Sequence, residues 1–310
     1  MSNELGGTTM SDERGEAAAS DGQNKAPLGE EFTLPGRIRV ETLSFSGLMG
    51  IYADDLVGNQ IMINVDEPFE TASTIKSFIL ASLFAQVSRG EKSLSDQLTY
   101  TPGNFIDGSG VMRALEIGSV LSVKNLATLM IIVSDNVASN ILIDYLGLER
   151  INADIAALGF ANTRLHRKLG EDGWGPLGTT TPREYGRLFT LIAKDELIDP
   201  ASSQAMLAIF KQQHYNSTLT NWLPHYYLDE DNFGGSGNQI YVASKSGSMK
   251  ACRNDGGIVH TPYGRYILVI FTKNFSDKQY HKEHESYYYG GRVSRLMFDQ
   301  YLALEGRFVL

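Results

Sequence analysis

The chain carries a single cysteine, Cys252, among its 310 residues. No intrachain disulfide can form, and no zinc site built on several thiolates is available. Basic charge is also short. The formal net charge is −9, and with no basic stripe to neutralise phosphates the sequence argues against a nucleic-acid partner. Long apolar runs are missing too: stretches such as Leu126 to Val133 are too short to span a bilayer. The first residues lack the charged n-region and apolar h-region of a signal peptide. A soluble, cytoplasmic protein is therefore the default expectation, or a periplasmic or secreted one where a leader has been removed. There is no internal repeat, no Gly-x-Ser-x-Gly elbow and no phosphate-binding loop.

What is present divides into three parts. Residues 1–32 are rich in Gly, Ser, Ala, Asp and Glu with almost nothing large and apolar. Such a segment cannot offset its ordering entropy by burial and is expected to be a disordered polar tail. Two β-runs follow, Gly47 to Asp54 and Gln60 to Val65. A helix is expected from about Thr74 to Val87, where Ile75, Phe78, Ile79, Leu83 and Val87 recur at helical spacing. Helical patterns then dominate over Val123 to Val133, Val137 to Leu146 and Glu149 to Leu158. Another opens at Thr181-Pro182-Arg183-Glu184, read as an N-cap, a first-turn proline and a capping-box glutamate. Strands return at Ile240 to Ser246, Gly256 to Thr261 and Arg265 to Lys273, and a last helix is expected over Arg292 to Leu304. This order predicts one sheet built from both chain ends, residues 33–72 with 225–310, and an all-helical unit, 73–224, inserted between them.

Three short motifs, each occurring once, stand in a fixed order: Ser73-Thr74-Ile75-Lys76, Ser134-Asp135-Asn136 and Lys245-Ser246-Gly247. A serine hydroxyl is a weak nucleophile until a base takes its proton. Residues three apart on a helix share a face, so Lys76 can serve Ser73 provided its amine is neutral. Its reference pKa of about 10.4 must then fall by roughly 3 units, and burial together with a second cation, Lys245, supplies the right sign. Ser134 could relay a proton and Asn136 could hold a substrate amide; helix capping is the plainer role of that tripeptide. Lys245 and Ser246 could bind a carboxylate on an edge strand, with Gly247 leaving room. The backbone N–H groups of Ser73 and Ser248 could form an oxyanion hole.

With these residues the chain resembles the penicillin-recognising serine hydrolases, and most closely their class A β-lactamase-like branch. The likeness runs from about Gly47 to Leu302 and includes Asp66-Glu67-Pro68-Phe69, Gly108-Ser109-Gly110, the run Leu126 to Asn136, and Thr179-Thr180-Thr181-Pro182. It implies an α/β (α+β) fold: an antiparallel sheet flanked by helices in α-β-α layers, joined to an all-helical domain, with the site between them. It also implies an acyl-enzyme on Ser73, Lys76 as its base partner, Ser134 as proton shuttle, Asn136 as substrate ligand and Lys245 with Ser246 as carboxylate ligands. No cofactor or metal is implied, and the substrate would be a small or peptide-like molecule bearing a carboxylate. Cleavage of β-lactam amides is the first expectation. A D-amino-acid peptidase, amidase or esterase, or a slowly deacylating penicillin-binding sensor, are the others. Oligomeric state is not legible.

One departure bears on turnover. The family's Glu-x-x-Leu-Asn motif, whose glutamate activates the deacylating water, is missing from Arg164 to Thr180. Glu171 and Asp172 are the acids that could replace it, in a glycine-rich stretch that would hold a carboxylate loosely. Gly173 to Gly178 matches Gly-x-Gly-x-x-Gly but follows no strand, so dinucleotide binding is discounted. His281 and His284 fit no zinc motif and are expected to face solvent. Cys252 is expected to be a small, partly buried thiol near the cleft.

Overall fold

Strands from both ends of the chain interleave in one antiparallel sheet. The computed structural model describes residues 29–171, 175–215, 218–228 and 240–310. The early strands are β1 (Leu48–Asp54) and β2 (Gln60–Ile63); the late ones are β8 (Tyr241–Ser244), β9 (Gly247–Met249), β10 (Cys252–Thr261) and β11 (Gly264–Lys273). Their order is β2-β1-β11-β10-β8, with β9 also on β10. β10 and β11 form a hairpin in register from Cys252↔Lys273 to Thr261↔Gly264, and β1 joins β11 from Leu48↔Lys273 to Asp54↔Ile267.

The period of two along these strands sorts the core onto two faces. Tyr52, Ile267, Val269 and Phe271 pack on one side, while Ile51, Ala53, Leu268 and Ile270 pack on the other. The second face is covered by α1 (Leu34–Thr42) and α9 (Glu285–Ala303). The first is covered by α6 (Pro182–Ala193), which approaches closely because glycines stand at the contacts. A Cβ on Gly186 would lie 2.1 Å from the Tyr52 ring, and one on Gly256 would lie 2.8 Å from that of Tyr185.

Short ribbons and helices fill the middle of the chain. β3 (Phe69–Glu70), β6 (Arg164–Leu165) and β7 (Gly178–Thr180) form a three-stranded piece in the order β3-β7-β6. β4 (Gln97–Thr99) pairs with β5 (Val120–Ser122). The helices are α2 (Ile75–Ser88), α3 (Val123–Ile132), α4 (Asn136–Leu146), α5 (Leu148–Ala157) and α7 (Pro200–Phe210), and α8 (His225–Leu228) is a single turn. α2 runs through the centre, touching α3, α4, α5 and α7. Every side chain from Ile75 to Gln86 is buried, not only the expected apolar face. Its polar members are accordingly paired: Ser82 and Gln86 donate to Asp154 at 2.7 and 3.0 Å.

Several expectations shift. The expected tail gives way earlier: the chain is already a 3-10 turn at Glu30–Phe32, where a Gly36 Cβ would lie 1.8 Å from the Glu30 carbonyl, and α1 follows at once. Most of the tail, residues 1–28, lies outside the described residues. The last helix starts seven residues before Arg292, at Glu285. The glycines that obscured it, Gly290 and Gly291, fit against Thr218 and Trp222. His284 is buried rather than solvent-facing, because its Nδ1 accepts from the Ser286 N–H at 3.1 Å and caps this helix. Its Nε2 donates to the Asp277 carbonyl at 2.9 Å. Thr181 caps α6 as expected, but Glu184 does not return to it. Its carboxylate instead takes the Asn162 N–H at 2.9 Å and the Thr163 hydroxyl at 2.6 Å. Cys252 is fully buried, and burial pushes its thiol up to about 12.

Candidate active site

The chain enters the site from β3 through a kink. Ala72 takes a left-handed backbone conformation, φ 45°, a strain of order 1 kcal/mol for a residue with a Cβ. The kink turns the extended strand into a 3-10 turn, Ala72–Thr74, that runs on into α2. Ser73 therefore sits at the mouth of the helix, half-buried, and Lys76 stands in its first turn, fully buried.

A second strained residue meets that lysine. Ser134, φ 51°, lies between α3 and α4, and this conformation turns both its carbonyl and its hydroxyl toward Lys76. The Lys76 Nζ donates to the Ser134 carbonyl and to the Asn136 Oδ1, each at 2.8 Å, and lies 3.1 Å from the Ser134 Oγ. Asp135 between them does the capping work that the tripeptide also suggested. Its Oδ1 accepts from the Ala138 N–H at 2.9 Å, and its Oδ2 takes Val111 and Met112 N–H groups at 2.6 and 2.8 Å. Gly110 must be glycine here: its φ is +104°, and a Cβ would fall 2.3 Å from the Asp135 carboxylate. Asp135 thus fastens the Gly108-Ser109-Gly110 turn to the Ser134 connection.

The Lys245 segment closes the site from the sheet side. Lys245 is fully buried, with its Nζ donating to the Ser246 carbonyl at 2.6 Å. Gly247 lies against the backbone around Ser73, where an added Cβ would be 2.7 Å from the Ser73 N, the Thr74 N and the Thr71 carbonyl. No side chain can relieve contacts of that kind, so the glycine sets how near β9 comes to Ser73. Ser248 follows, its hydroxyl 2.9 Å from that of Tyr287.

Electrostatics favour a neutral amine. Burial holds the Lys76 ammonium well below the usual lysine range; Lys245 pushes the same way and Asp135 opposes. Burial likewise brings Lys245 down to about 7, against the pull of Asp255. Two desolvated lysines side by side both lean toward the free base.

Ser73, Asn136 and Ser248 line one cleft of about 360 Å³, whose other walls include Ser109, Leu169 and Tyr280. Leu169 supplies an apolar side chain to the cleft wall. Its backbone is held at both polar groups by Asn140: the amide donates to the Leu169 carbonyl at 3.0 Å, and the Leu169 N–H donates back at 3.0 Å. Glu171 does not face the cleft. Its carboxylate accepts from the Lys168 N–H at 3.1 Å and its side chain is exposed. A glycine-rich turn satisfies that acid locally instead of aiming it. Asp172 and the Gly173-Trp174 start of the Gly-x-Gly-x-x-Gly match lie outside the described residues. Among the described residues no group of three His, Cys, Asp or Glu side chains could hold a metal ion, and no helix is long and apolar enough to cross a membrane.

Asn140 and Leu169 were not singled out in the sequence. Asn140 had a signal, since it stands one turn beyond Asn136 on α4. Leu169 had none, because an apolar residue in a loop usually marks packing.

The family model described as the β-lactamase enzyme family matches residues 37–301. The chain belongs to that family. It is 25% identical over 256 residues to a β-lactamase of Streptomyces lavendulae, covering 79% of each chain. A β-lactamase structure from Sphaerobacter thermophilus superposes with a TM-score of 0.76 at 28% identity, over 88% of this chain and 98% of that one. A variant of PBP-A solved as an acyl-enzyme with penicillin G superposes with a TM-score of 0.74 at 26% identity, over 87% and 96%. Membership accounts for the layered sheet, the inserted helices and the order of the three motifs together.

Proposed function

We propose that this family member is a serine hydrolase that cleaves β-lactam amide bonds by acyl transfer to Ser73. The observation that carries the reading is the buried Lys76, three residues beyond Ser73, whose Nζ reaches both Ser134 and Asn136. Burial and Lys245 favour its neutral form. The neutral amine takes the Ser73 hydroxyl proton as the oxygen attacks the lactam carbonyl carbon. Negative charge gathers on the carbonyl oxygen, which the N–H groups of Ser73 and Ser248 stabilise. The C–N bond then breaks, and the departing nitrogen receives the proton from Lys76 by way of the Ser134 hydroxyl. Asn136 holds the substrate's side-chain amide. Lys245 and Ser246 take its carboxylate, and Gly247 lets their segment lie close against the Ser73 backbone.

Ring opening is complete once the acyl-enzyme forms; release needs a water and a base. With Leu169 on the cleft wall and Glu171 turned to its own loop, release is the slow step in this reading. Incubation with a chromogenic cephalosporin, following colour and intact mass together, tests the whole scheme. The expected result is a burst of colour equal to the enzyme present, an adduct on Ser73, and a slow steady rate. The absence of both colour and adduct, or an unchanged Ser73→Ala enzyme, would overturn it.

A further inference from the structure

The two lysines of the site come from distant parts of the chain, and one buried hydroxyl group joins the elements that carry them. Tyr185 on α6 has no exposed surface. Its ring is fixed by Phe78, Phe189 and Phe271, at centroid distances of 5.9, 5.2 and 5.1 Å. Its OH lies 3.0 Å from the Ser77 Oγ, the residue next to Lys76 on α2, and donates to the Lys245 carbonyl at 2.8 Å. We propose that Tyr185 is a positioning residue of the reaction, its hydroxyl bridging Ser77 and the Lys245 carbonyl so that Lys245 is held at a fixed separation from Lys76. The inference rests on the acyl-transfer reading for its consequence in catalysis, though not for the linkage itself.

The chemistry of the bridge has one arrangement. Burial, with Asp255 nearby, drives the phenol well above its ordinary range, so it keeps its proton. That single proton goes to the Lys245 carbonyl, and Ser77 donates to the phenol oxygen. The Lys245 N–H is tied in turn to the Gly256 carbonyl at 3.1 Å, directly beneath the Tyr185 ring. The Lys245 backbone is therefore located at both polar groups, which fixes the point from which its side chain reaches the site. Two carboxylates, Asp135 and Asp255, act on the pair. Lys245 and Asp135 act on Lys76 in opposite senses, and Asp255 acts on Lys245 and, across the sheet, on Tyr185. Loosening the Lys245 backbone relaxes the repulsion on Lys76 and lets its amine hold a proton to higher pH.

Tyr185→Phe keeps the ring and removes only the bridge; Ser77→Ala leaves the ring and the Lys245 bond and removes one half of it. NMR titration of carbon-labelled lysine ε-carbons reads the pair without substrate. The expected result is a Lys76 midpoint raised by at least about half a pH unit in Tyr185→Phe and raised less in Ser77→Ala. Acylation by penicillin G, followed by intact mass, should slow by about threefold on its acid limb in Tyr185→Phe, with that limb displaced upward by the same half unit or more. A slower reaction with an unmoved Lys76 midpoint would mean that the phenol serves packing alone and would overturn the proposal. So would unchanged behaviour in both respects. Should Tyr185→Phe fail to fold, Ser77→Ala decides by the same criterion. A shifted Lys76 midpoint with no adduct even on the unaltered enzyme would sustain the linkage and sink the acyl-transfer reading.

Discussion

Replacing Lys245 with methionine keeps an unbranched side chain of similar reach and removes the charge. In the folded protein burial takes this lysine from its ordinary 10.5 to about 7, whereas an unfolded chain returns it to about 10.4. Between those values the unfolded state binds more protons than the folded one. Stability therefore rises with pH across that window and is lost as pH falls toward the lower value. A displacement from 10.5 to about 7 corresponds to about 5 kcal/mol. Methionine has no such penalty, but it forfeits the bond from the Lys245 Nζ to the Ser246 carbonyl, a loss of about 1 kcal/mol. Near neutral pH the Lys245→Met protein should thus be the more stable by several kcal/mol, and the advantage should vanish or reverse by about pH 10. Urea denaturation followed by circular dichroism, on both proteins at stepped pH, measures this directly. Taking the difference between them cancels most other titrations. Parallel stability curves from about pH 7 to pH 10 would refute the claim that burial brings the Lys245 ammonium down to about 7.

Leu169→Glu puts a carboxylate on the cleft wall with its backbone already clamped by Asn140; release of the acyl group should quicken by tenfold or more on the order expected for general-base assistance, read as loss of the persistent adduct. Gly247→Ala forces a methyl into three backbone atoms at 2.7 Å; acylation should fall by about a hundredfold or more, because the Ser73 N–H is displaced. Asn140→Ala strands both polar groups of Leu169, and denaturation should show a loss of about 2 kcal/mol.

Much of the fold was legible because burial repeats at a fixed period. β1, β11, α3 and α4 are found within a residue or two of where their apolar spacing puts them. α9 was foreshortened because Gly290 and Gly291 carry poor helix propensity, which their contacts with Thr218 and Trp222 offset in three dimensions. His284 and Glu184 were misjudged for a related reason. Each polar side chain is satisfied by a partner chosen by tertiary placement, and no local pattern announces that partner. In the site, motifs with short internal spacing were readable and groups that act through backbone contacts were not. Lys76 follows Ser73 by one turn, whereas the clamp from Asn140 to Leu169 spans 29 residues.

The same contrast separates the two halves of the reaction. The groups to which we assign acylation sit on the Ala72–Thr74 turn and the start of α2, on the strained Ser134 connection and beside β9, each held by buried hydrogen bonds or by a closely packed glycine. Such groups need no reorganisation when the serine attacks, so their chemistry follows from how they are packed. The loop from Arg164 to Thr180 is held at Leu169, and its one described free acid bonds to its neighbour's backbone. A base that must order a water needs placement to within about half an ångström, and the residue this loop holds firmly on the cleft wall is the apolar Leu169. Acylation and release are therefore independently adjustable: a change at Leu169 should alter the lifetime of the adduct while leaving its rate of formation near that of the unaltered enzyme. Equal effects on both rates, read from the same mass-spectrometric time course, would show that the loop also shapes the acylation step and that this separation does not hold.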